Sequence, residues 1–485
     1  MAYSEVFGKK DMAPEAVVRF LSEVKEIGLP LHSMLLLHND RLIAEYYSAP
    51  YQKDALHRIY SESKSFVALA IGLLLKEGRL SLHDTIASHF PEKVPPNTDS
   101  FLLETTVQDL LMMAPPFDDE CYDSLHGDVV EAFFKTRPTR QAGTLFCYNA
   151  ASPAVLTALT EKLAGAPLLS YMWTRLLEPL GFSPKTWCVK MPQGLSWGAS
   201  GIMCTPRDLM KIGQLLLHGG EWNGMQLLPE EYVRAACGRR IDSEAQNGGT
   251  ESGFGYGYLI WRTRYNGFAF LGLGGQCMLC QPEKNIVLVT MADTQAIRGG
   301  SEILLRCFWR TIYASLQAED CLNWVQFPAS YELSLPLPAA GAGGVGRKDI
   351  WSREIAMCEN PMGISQMRFE QEAGHIIWEY ENKTGKHTLQ LGLGCYQQQS
   401  FPEAHYYSEV VCREGNRKYR CQAGAVWSDA NTLSARIYIT DINVGTGKLV
   451  FHFEGDRVCV QMASYGEFFL TEYNGSGWGR FVRGS

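Results

Sequence analysis

Ser61 and Lys64 stand three residues apart at the mouth of an apolar run, Phe66-Val67-Ala68-Leu69-Ala70-Ile71-Gly72-Leu73-Leu74-Leu75. On a helix, residues i and i+3 share one face, so the lysine amine can lie over the serine hydroxyl. A serine hydroxyl is a weak nucleophile until a neighbouring base takes its proton, and a lysine withdrawn from water can be that base. The amino-terminal end of a helix adds unpaired N–H groups and a positive dipole pole, both of which favour developing negative charge. The pattern predicts a nucleophilic serine of the Ser-x-x-Lys kind.

About one Ser-x-x-Lys is expected by chance in a chain of this size, so context has to select among copies. Ser22-Glu23-Val24-Lys25 is a second copy, near the end of a helix expected from Pro14 to Glu26, just before Gly28 and Pro30. That end carries the negative pole, and the pair reads as a solvated helix face. Two further pieces favour Ser61. Gly143-Thr144-Leu145-Phe146-Cys147-Tyr148-Asn149-Ala150 precedes an apolar helix from Pro153 to Leu163. A tyrosine phenol beside a lysine can relay protons between nucleophile and leaving group. Phe270-Leu271-Gly272-Leu273-Gly274-Gly275-Gln276 ends a late strand, where closely spaced glycines let backbone approach a ligand. A free N–H there can pair with that of Ser61 as an oxyanion hole.

The elements that must carry these groups follow from periodicity and turn signals. His32 to His38 and Arg41 to Tyr47 read as strands joined by a hairpin turn at Asn39-Asp40. The Ser61 helix runs to Gly78, and Leu82 to Arg240 reads as mostly helical, punctuated by prolines. Strands return at Gly255 to Arg262, Phe268 to Leu273, Gln276 to Gln281 and Asn285 to Met291, before a helix from Ser301 to Leu316. The expected fold class is α+β: an antiparallel sheet flanked by helices, with a helical insertion carrying part of the site. Residues 1–318 form this catalytic domain and residues 319–349 a linker, which includes the Pro/Gly/Ala-rich stretch from Leu335 to Gly344. Residues 350–485 form an all-β domain, a barrel or sandwich, with strands at His375 to Tyr380, His387 to Gly392, Ser434 to Thr440, Lys448 to Phe453 and Val458 to Met462.

In this order, the three pieces resemble the serine β-lactamase and penicillin-binding-protein-like superfamily. They are most similar to its class C-like esterase, D-aminopeptidase and 6-aminohexanoate-dimer hydrolase (CubicO-type) branch. The resemblance covers Leu31 to Leu316 and takes in Thr106-Val107-Gln108-Asp109-Leu110-Leu111 and Gly198-Ala199-Ser200-Gly201-Ile202-Met203-Cys204-Thr205-Pro206-Arg207-Asp208-Leu209. It implies Ser61 as nucleophile, Lys64 as base and Tyr148 as partner acid/base, with Leu273 N–H joining Ser61 N–H in the oxyanion hole. It places Gly272, Gly274, Gln276 and Asn149 around the substrate. It also makes the carboxy-terminal domain similar to a lipocalin-like barrel.

Two departures refine the expectation. The family's tyrosine motif often reads Tyr-x-Asn, whereas here Asn149 is second and Ala150 third. The strand triad, Lys-Thr-Gly in lactamases and often His-x-Gly in esterases, reads Phe270-Leu271-Gly272. The cation that would hold a β-lactam or D-Ala carboxylate is missing, and with it a charge-assisted contact of roughly 1.5–3 kcal/mol. A literal Lys383-Thr384-Gly385 reads as a hairpin turn between two carboxy-terminal strands. Gly194-Leu195-Ser196-Trp197-Gly198 matches a hydrolase nucleophile elbow but lacks the preceding strand and following helix that an elbow needs. Asp118, Asp119 and Glu120 form an acidic loop that the resemblance places beside the site, a solvated loop or an attractor for a substrate amine.

Composition excludes other classes. In 485 residues the charged share is 20% and the net charge −8, which lacks the basic footprint of nucleic-acid binding. No apolar run reaches membrane-spanning length, and the amino terminus has no apolar segment of a secretory signal, so the expected location is the cytoplasm. Fourteen scattered cysteines then read as reduced, and Cys277-Met278-Leu279-Cys280 as two strand cysteines, with no second pair at zinc spacing. The reading is a serine hydrolase for a small ester or amide (a carboxylester, or a D-amino-acid amide or peptide-like substrate), with no metal or cofactor and open to homo-oligomerisation. A non-catalytic binding or scaffold protein that keeps the fold is the alternative from another class. Among enzymes the alternative is a β-lactamase or D,D-peptidase.

Overall fold

The computed structural model describes residues 14–118, 127–316, 333–341, 346–403, 418–466 and 473–482. These group into two compact units: one runs to Ala292 and takes up Gly299–Ser334, the other holds Asp293–Arg298 and everything from Leu335 onward.

In the first unit, helix α1 (Pro14–Ile27) buries Val17, Phe20, Leu21 and Val24, an i, i+3, i+4, i+7 stripe. Strands β1 (Leu31–His38) and β2 (Arg41–Tyr47) pair through Asn39 and Asp40, both at positive φ (51° and 61°), as the twist of a two-residue hairpin requires. The antiparallel sheet has six strands in the order β2, β1, Ile286–Ala292, Gln276–Gln281, Phe268–Gly272, Trp261–Arg262. Both β1 and Ile286–Ala292 are buried at every position, so helices cover both faces of the sheet. Helix Pro206–Leu217 lies across the central strands, and α1 packs on Gly300–Phe308 and its π-helical continuation Trp309–Tyr313.

The α+β class and the antiparallel sheet match the sequence reading; three local expectations change. The expected strand Gly255 to Arg262 is paired as a strand only at Trp261–Arg262, because a 3-10 turn (Glu251–Phe254) and Gly255 at φ +103° occupy the approach. Tyr256 makes only isolated bridges, to Ile241 and Trp261. The expected helix Ser301 to Leu316 changes to π geometry at Trp309. The mostly helical middle contributes a small sheet in which β3 (His57–Arg58) and Trp187–Cys188 flank Ile202–Cys204. Strands of two or three residues leave no alternation to read.

The second unit is a closed β-barrel. Ten strands follow the sheet order Gly385–Leu393, His375–Asn382, Gln366–Glu372, Glu354–Met357, Gly475–Phe481, Arg457–Gly466, Val444–Glu454, Thr432–Thr440, Arg420–Asp429, Gln397–Ser400. A parallel pairing of Gly392 with Gly424 and Leu393 with Ala425 closes the first nine into the ring, and among the described strands Gln397–Ser400 pairs only with Arg420–Asp429. Alternate residues point inward, and Trp378, Phe369, Phe451 and Phe453 fill the middle. Lys383 and Thr384 form the two-residue turn between paired Asn382 and Gly385. Residues 335–341, expected in the linker, belong to this unit: the Pro336 carbonyl accepts from the Tyr396 and Tyr438 hydroxyls at 2.6 and 3.0 Å. No helix among the described residues is long and apolar enough to cross a membrane.

Candidate active site

The nucleophile turn is built on two small devices. Arg58 of β3 pairs with Met203, and the Ile59 N–H donates to Ile202 O at 3.0 Å, tying this segment to the loop before Ile202. Tyr60–Glu62 then make one 3-10 turn before helix α2 (Ser63–Lys76) begins. Ser61 therefore stands just ahead of the α-helix, beside its free N–H groups. Tyr60 adopts φ +49°, a left-handed conformation that costs an L-residue about 1–2 kcal/mol. That strain falls on the peptide directly before Ser61.

Lys64 lies in the first turn of α2 and is 5% exposed. Its Nζ donates to Ser61 Oγ at 2.9 Å and to the Ala199 carbonyl at 2.8 Å. Its Nζ also sits 5.1 Å from the centroid of the Tyr148 ring. Tyr148 is half-buried, stacked on Trp261 with centroids 5.2 Å apart and set edge-on to Tyr256. Its backbone N–H donates to Gln246 Oε1 at 3.4 Å. Ser61, Lys64 and Tyr148 thus meet in one place.

The third sequence piece comes in through backbone. Gly272 ends its strand so close to the nucleophile turn that a Cβ there would lie 2.3 Å from Ile59 O. Gly274 and Gly275 follow at φ +80° and +89°, turning the chain back into Gln276–Gln281. Leu273, between Gly272 and Gly274, is 40% exposed. Gln276 is buried, and its amide donates to the carbonyls of Leu273 and Ala292, both at 2.7 Å. It braces the glycine turn from behind.

Other candidates take structural or peripheral positions. The Asn149 side chain is buried: Oδ1 accepts from Ser152 N at 2.7 Å, and Nδ2 donates to Cys147 O at 2.6 Å. The first of these bonds ties Asn149 to the opening turn of helix Ala151–Ala164. Asp118 is exposed and paired with Arg140, so its charge is met within the loop. Asp119 and Glu120 lie outside the described residues. Ser196 is buried in a hairpin-like loop, bridged to Lys190, without the strand and helix of a nucleophile elbow. Cys277 and Cys280, three apart on a strand, point to opposite faces, and burial pushes both thiols up. Ser22 and Lys25 lie in α1.

Two further residues near the nucleophile carry no motif of their own in the sequence. Ala199 offers only a carbonyl, which no residue-type pattern can flag. Glu62, directly after Ser61, is fully buried, and burial pushes its carboxyl well above the ordinary range against a smaller opposing pull from the Met278 backbone. It also helps push up the Cys204 and Cys277 thiols.

The protein family described as Beta-lactamase matches residues 23–300. A 6-aminohexanoate-dimer hydrolase from Paenarthrobacter ureafaciens is 24% identical over 282 residues, which are 54% of this chain and 72% of that protein. Among solved structures, EstCE1, a hydrolase with promiscuous acyltransferase activity, aligns with a TM-score of 0.53 and 15% identity over 62% of this chain and 99% of its own. The octameric penicillin-binding protein homologue from Pyrococcus abyssi aligns with a TM-score of 0.50 and 15% identity over 96% of this chain and 99% of its own. At such identities the structural likeness concerns the fold.

Two stability measurements check this geometry. Gly272→Ala sets a Cβ against the Ile59 carbonyl, and thermal unfolding is expected to register a loss of about 1–3 kcal/mol; an unchanged midpoint contradicts the close approach. Glu62 keeps its proton in the folded chain to higher pH than in the unfolded one, so it removes stability as pH rises from the unfolded carboxyl pKa of about 4.3 towards the raised folded value. Glu62→Gln removes that titration, and the difference in unfolding temperature, variant minus parent, is expected to grow from pH 4 to pH 8. A difference that stays flat across this range rejects a buried neutral acid.

Proposed function

The chain belongs to the beta-lactamase family, and from that premise we propose that it is a serine hydrolase cleaving a small ester or amide through an acyl-enzyme on Ser61. The observation that carries this reading is the 2.9 Å hydrogen bond between Lys64 Nζ and Ser61 Oγ, within a site that also holds Tyr148.

In acylation the lysine amine takes the Ser61 hydroxyl proton as Oγ attacks the acyl carbon. A C–O bond forms, the carbonyl π pair moves onto oxygen, and the N–H groups of Ser61 and Leu273 stabilise the oxyanion. The pair then returns to re-form the carbonyl while the bond to the leaving group breaks, and Tyr148 hands that amine or alcohol a proton. Water attacks the ester next, losing a proton to the same groups, and Ser61 Oγ departs with its proton restored. The acyl group leaves as the free acid.

Phe270 bears on the substrate. It stands where lactamases carry the cationic lysine, yet it is buried and packs edge-on to Phe66 with centroids 6.5 Å apart. A substrate carboxylate gains no cation from that position, which supports a carboxylester or a D-amino-acid amide or peptide-like substrate over a β-lactam or D,D-peptide. The relative named for the 6-aminohexanoate dimer and the hydrolase EstCE1 are both consistent with this range. Homo-oligomerisation is part of the same proposal, supported by the octameric Pyrococcus abyssi homologue that aligns along 96% of this chain.

A fluorophosphonate probe is expected to add one adduct, mapped by mass spectrometry to Ser61, and Ser61→Ala is expected to lower turnover by on the order of 10⁴-fold. Folded protein without an adduct overturns the proposal in favour of a ligand-binding protein. A panel of p-nitrophenyl esters, D- and L-amino-acid amides and nitrocefin separates the substrate classes, with nitrocefin expected to be the poorest.

A further inference from the structure

Arg58 lies three residues before Ser61 and is 1% exposed. Its Nε donates to Ser200 O and its Nη2 to Ser200 Oγ, both at 2.8 Å. Its guanidinium carbon sits 4.2 Å from the centroid of the Tyr60 ring and 4.5 Å from that of Trp197. One planar cation is thus held between two aromatic faces and forked onto a single residue, a combination that a lysine cannot reproduce.

The placement of its partners gives this cluster its meaning. Tyr60 is joined directly to Ser61 and holds the left-handed conformation of the nucleophile turn. Ser200 is joined directly to Ala199, whose carbonyl is the second acceptor of Lys64. Trp197 closes the same loop: its carbonyl accepts from Ser200 N at 3.1 Å and Gly201 N at 2.7 Å. Arg58 therefore grips both segments that supply Lys64 with acceptors, Tyr60–Ser61 on one side and Trp197–Ser200 on the other. If either segment shifts, Lys64 Nζ cannot keep both hydrogen bonds at their present lengths of 2.9 and 2.8 Å.

We propose that Arg58 is a positioning residue for acylation, clamping the Tyr60 turn to the Trp197–Ser200 loop so that Ser61 Oγ and the Ala199 carbonyl stay in reach of one lysine. Arg58 touches no reacting atom in this scheme and acts through Ser61 and Lys64. The role rests on the serine-hydrolase reading above. A misplacement of about 1 Å at a reacting group is enough to cost on the order of 100-fold in rate.

The test uses the full chain, with acylation by a fluorophosphonate and turnover of p-nitrophenyl acetate read beside near-UV circular dichroism. Arg58→Lys, which keeps the charge but not the fork, is expected to lose roughly 10- to 100-fold in acylation rate and kcat, with KM within a few-fold. Ser200→Ala leaves Arg58 in place and removes one side-chain acceptor, and is expected to lose a smaller factor in the same direction. Arg58→Ala is expected to regain acylation when millimolar guanidinium is added, well below denaturing levels, a rescue that a general loss of packing does not give. Folded Arg58→Lys and Ser200→Ala proteins acylated at the parent rate overturn the role of Arg58 alone. A loss that follows only the folded fraction, without rescue, also overturns it. A parent protein that is folded yet inert to the probe overturns the hydrolase reading, and this role with it.

Discussion

One buried lysine nitrogen with two hydrogen-bond partners organises the first unit. Lys64 Nζ has little water around it, so its hydrogen bonds need fixed partners, and two of these come from segments about 135 residues apart in the chain. A buried hydrogen bond of this kind contributes about 0.5–1.5 kcal/mol, and a buried polar group left without one costs about 1–3 kcal/mol. The neighbouring construction serves this requirement. The miniature sheet joins β3 to Ile202–Cys204, Ser63 Oγ accepts from the Ile202 N–H at 3.1 Å, and the Trp197–Gly201 loop folds back on itself by backbone hydrogen bonds.

The same turn concentrates what a stability-optimised fold avoids: a bulky residue at positive φ, a buried arginine, a buried glutamic acid and a backbone contact that tolerates no Cβ. Each is unfavourable in isolation, and together they hold one arrangement around Ser61. The surrounding support is ordinary packing. Phe66, Val67, Leu69, Ala70 and Ile71 bury α2 on several sides, and β1 and Ile286–Ala292 are enclosed by helices. Strain at the turn is sustained because the helix and sheet behind it have little freedom to relax.

Legibility in the sequence followed the physical carrier of each feature. Ser61, Lys64 and Tyr148 could be found because their chemistry lies in side chains and, for the first two, in an i, i+3 spacing. Ala199 could not, since a carbonyl is common to every residue. Arg58 stood in plain view, but its burial depends on a pairing with Met203 that two-residue strands do not announce. In the barrel, His375–Asn382 and Arg457–Gly466 alternate clearly, whereas Gln397–Ser400 is all polar and Gly475–Phe481 is rich in glycine. Those strands exist because the ladder beside them offers hydrogen bonds, and not because of their own propensity. Residues 335–341 read as linker for a related reason: proline and glycine lack periodicity, yet Gly341 N still finds the Trp427 carbonyl at 3.1 Å.

The two strand-triad candidates separate side-chain chemistry from backbone geometry. Lys383-Thr384-Gly385 has the lactamase spelling, but its lysine and threonine make a hairpin turn, where Thr384 hydrogen-bonds to Asn382 Oδ1 at 2.7 Å. Phe270-Leu271-Gly272 has no lysine but ends in a glycine, and that glycine lies against the backbone of the nucleophile turn. Under the proposed function, a change of side chain at the first position alters which substrate is recognised. A change at the third displaces the backbone from the turn itself. Phe270 has accordingly been absorbed into the core against Phe66, while Gly272 retains its contact with Ile59. Under the proposed function, recognition then passes to the aromatic wall of Tyr148, Trp261 and Tyr256 and to the exposed Leu273. Such surfaces discriminate by shape and apolar area, with about 1–3 kcal/mol per methylene, and they suit an acyl group better than a fixed negative charge.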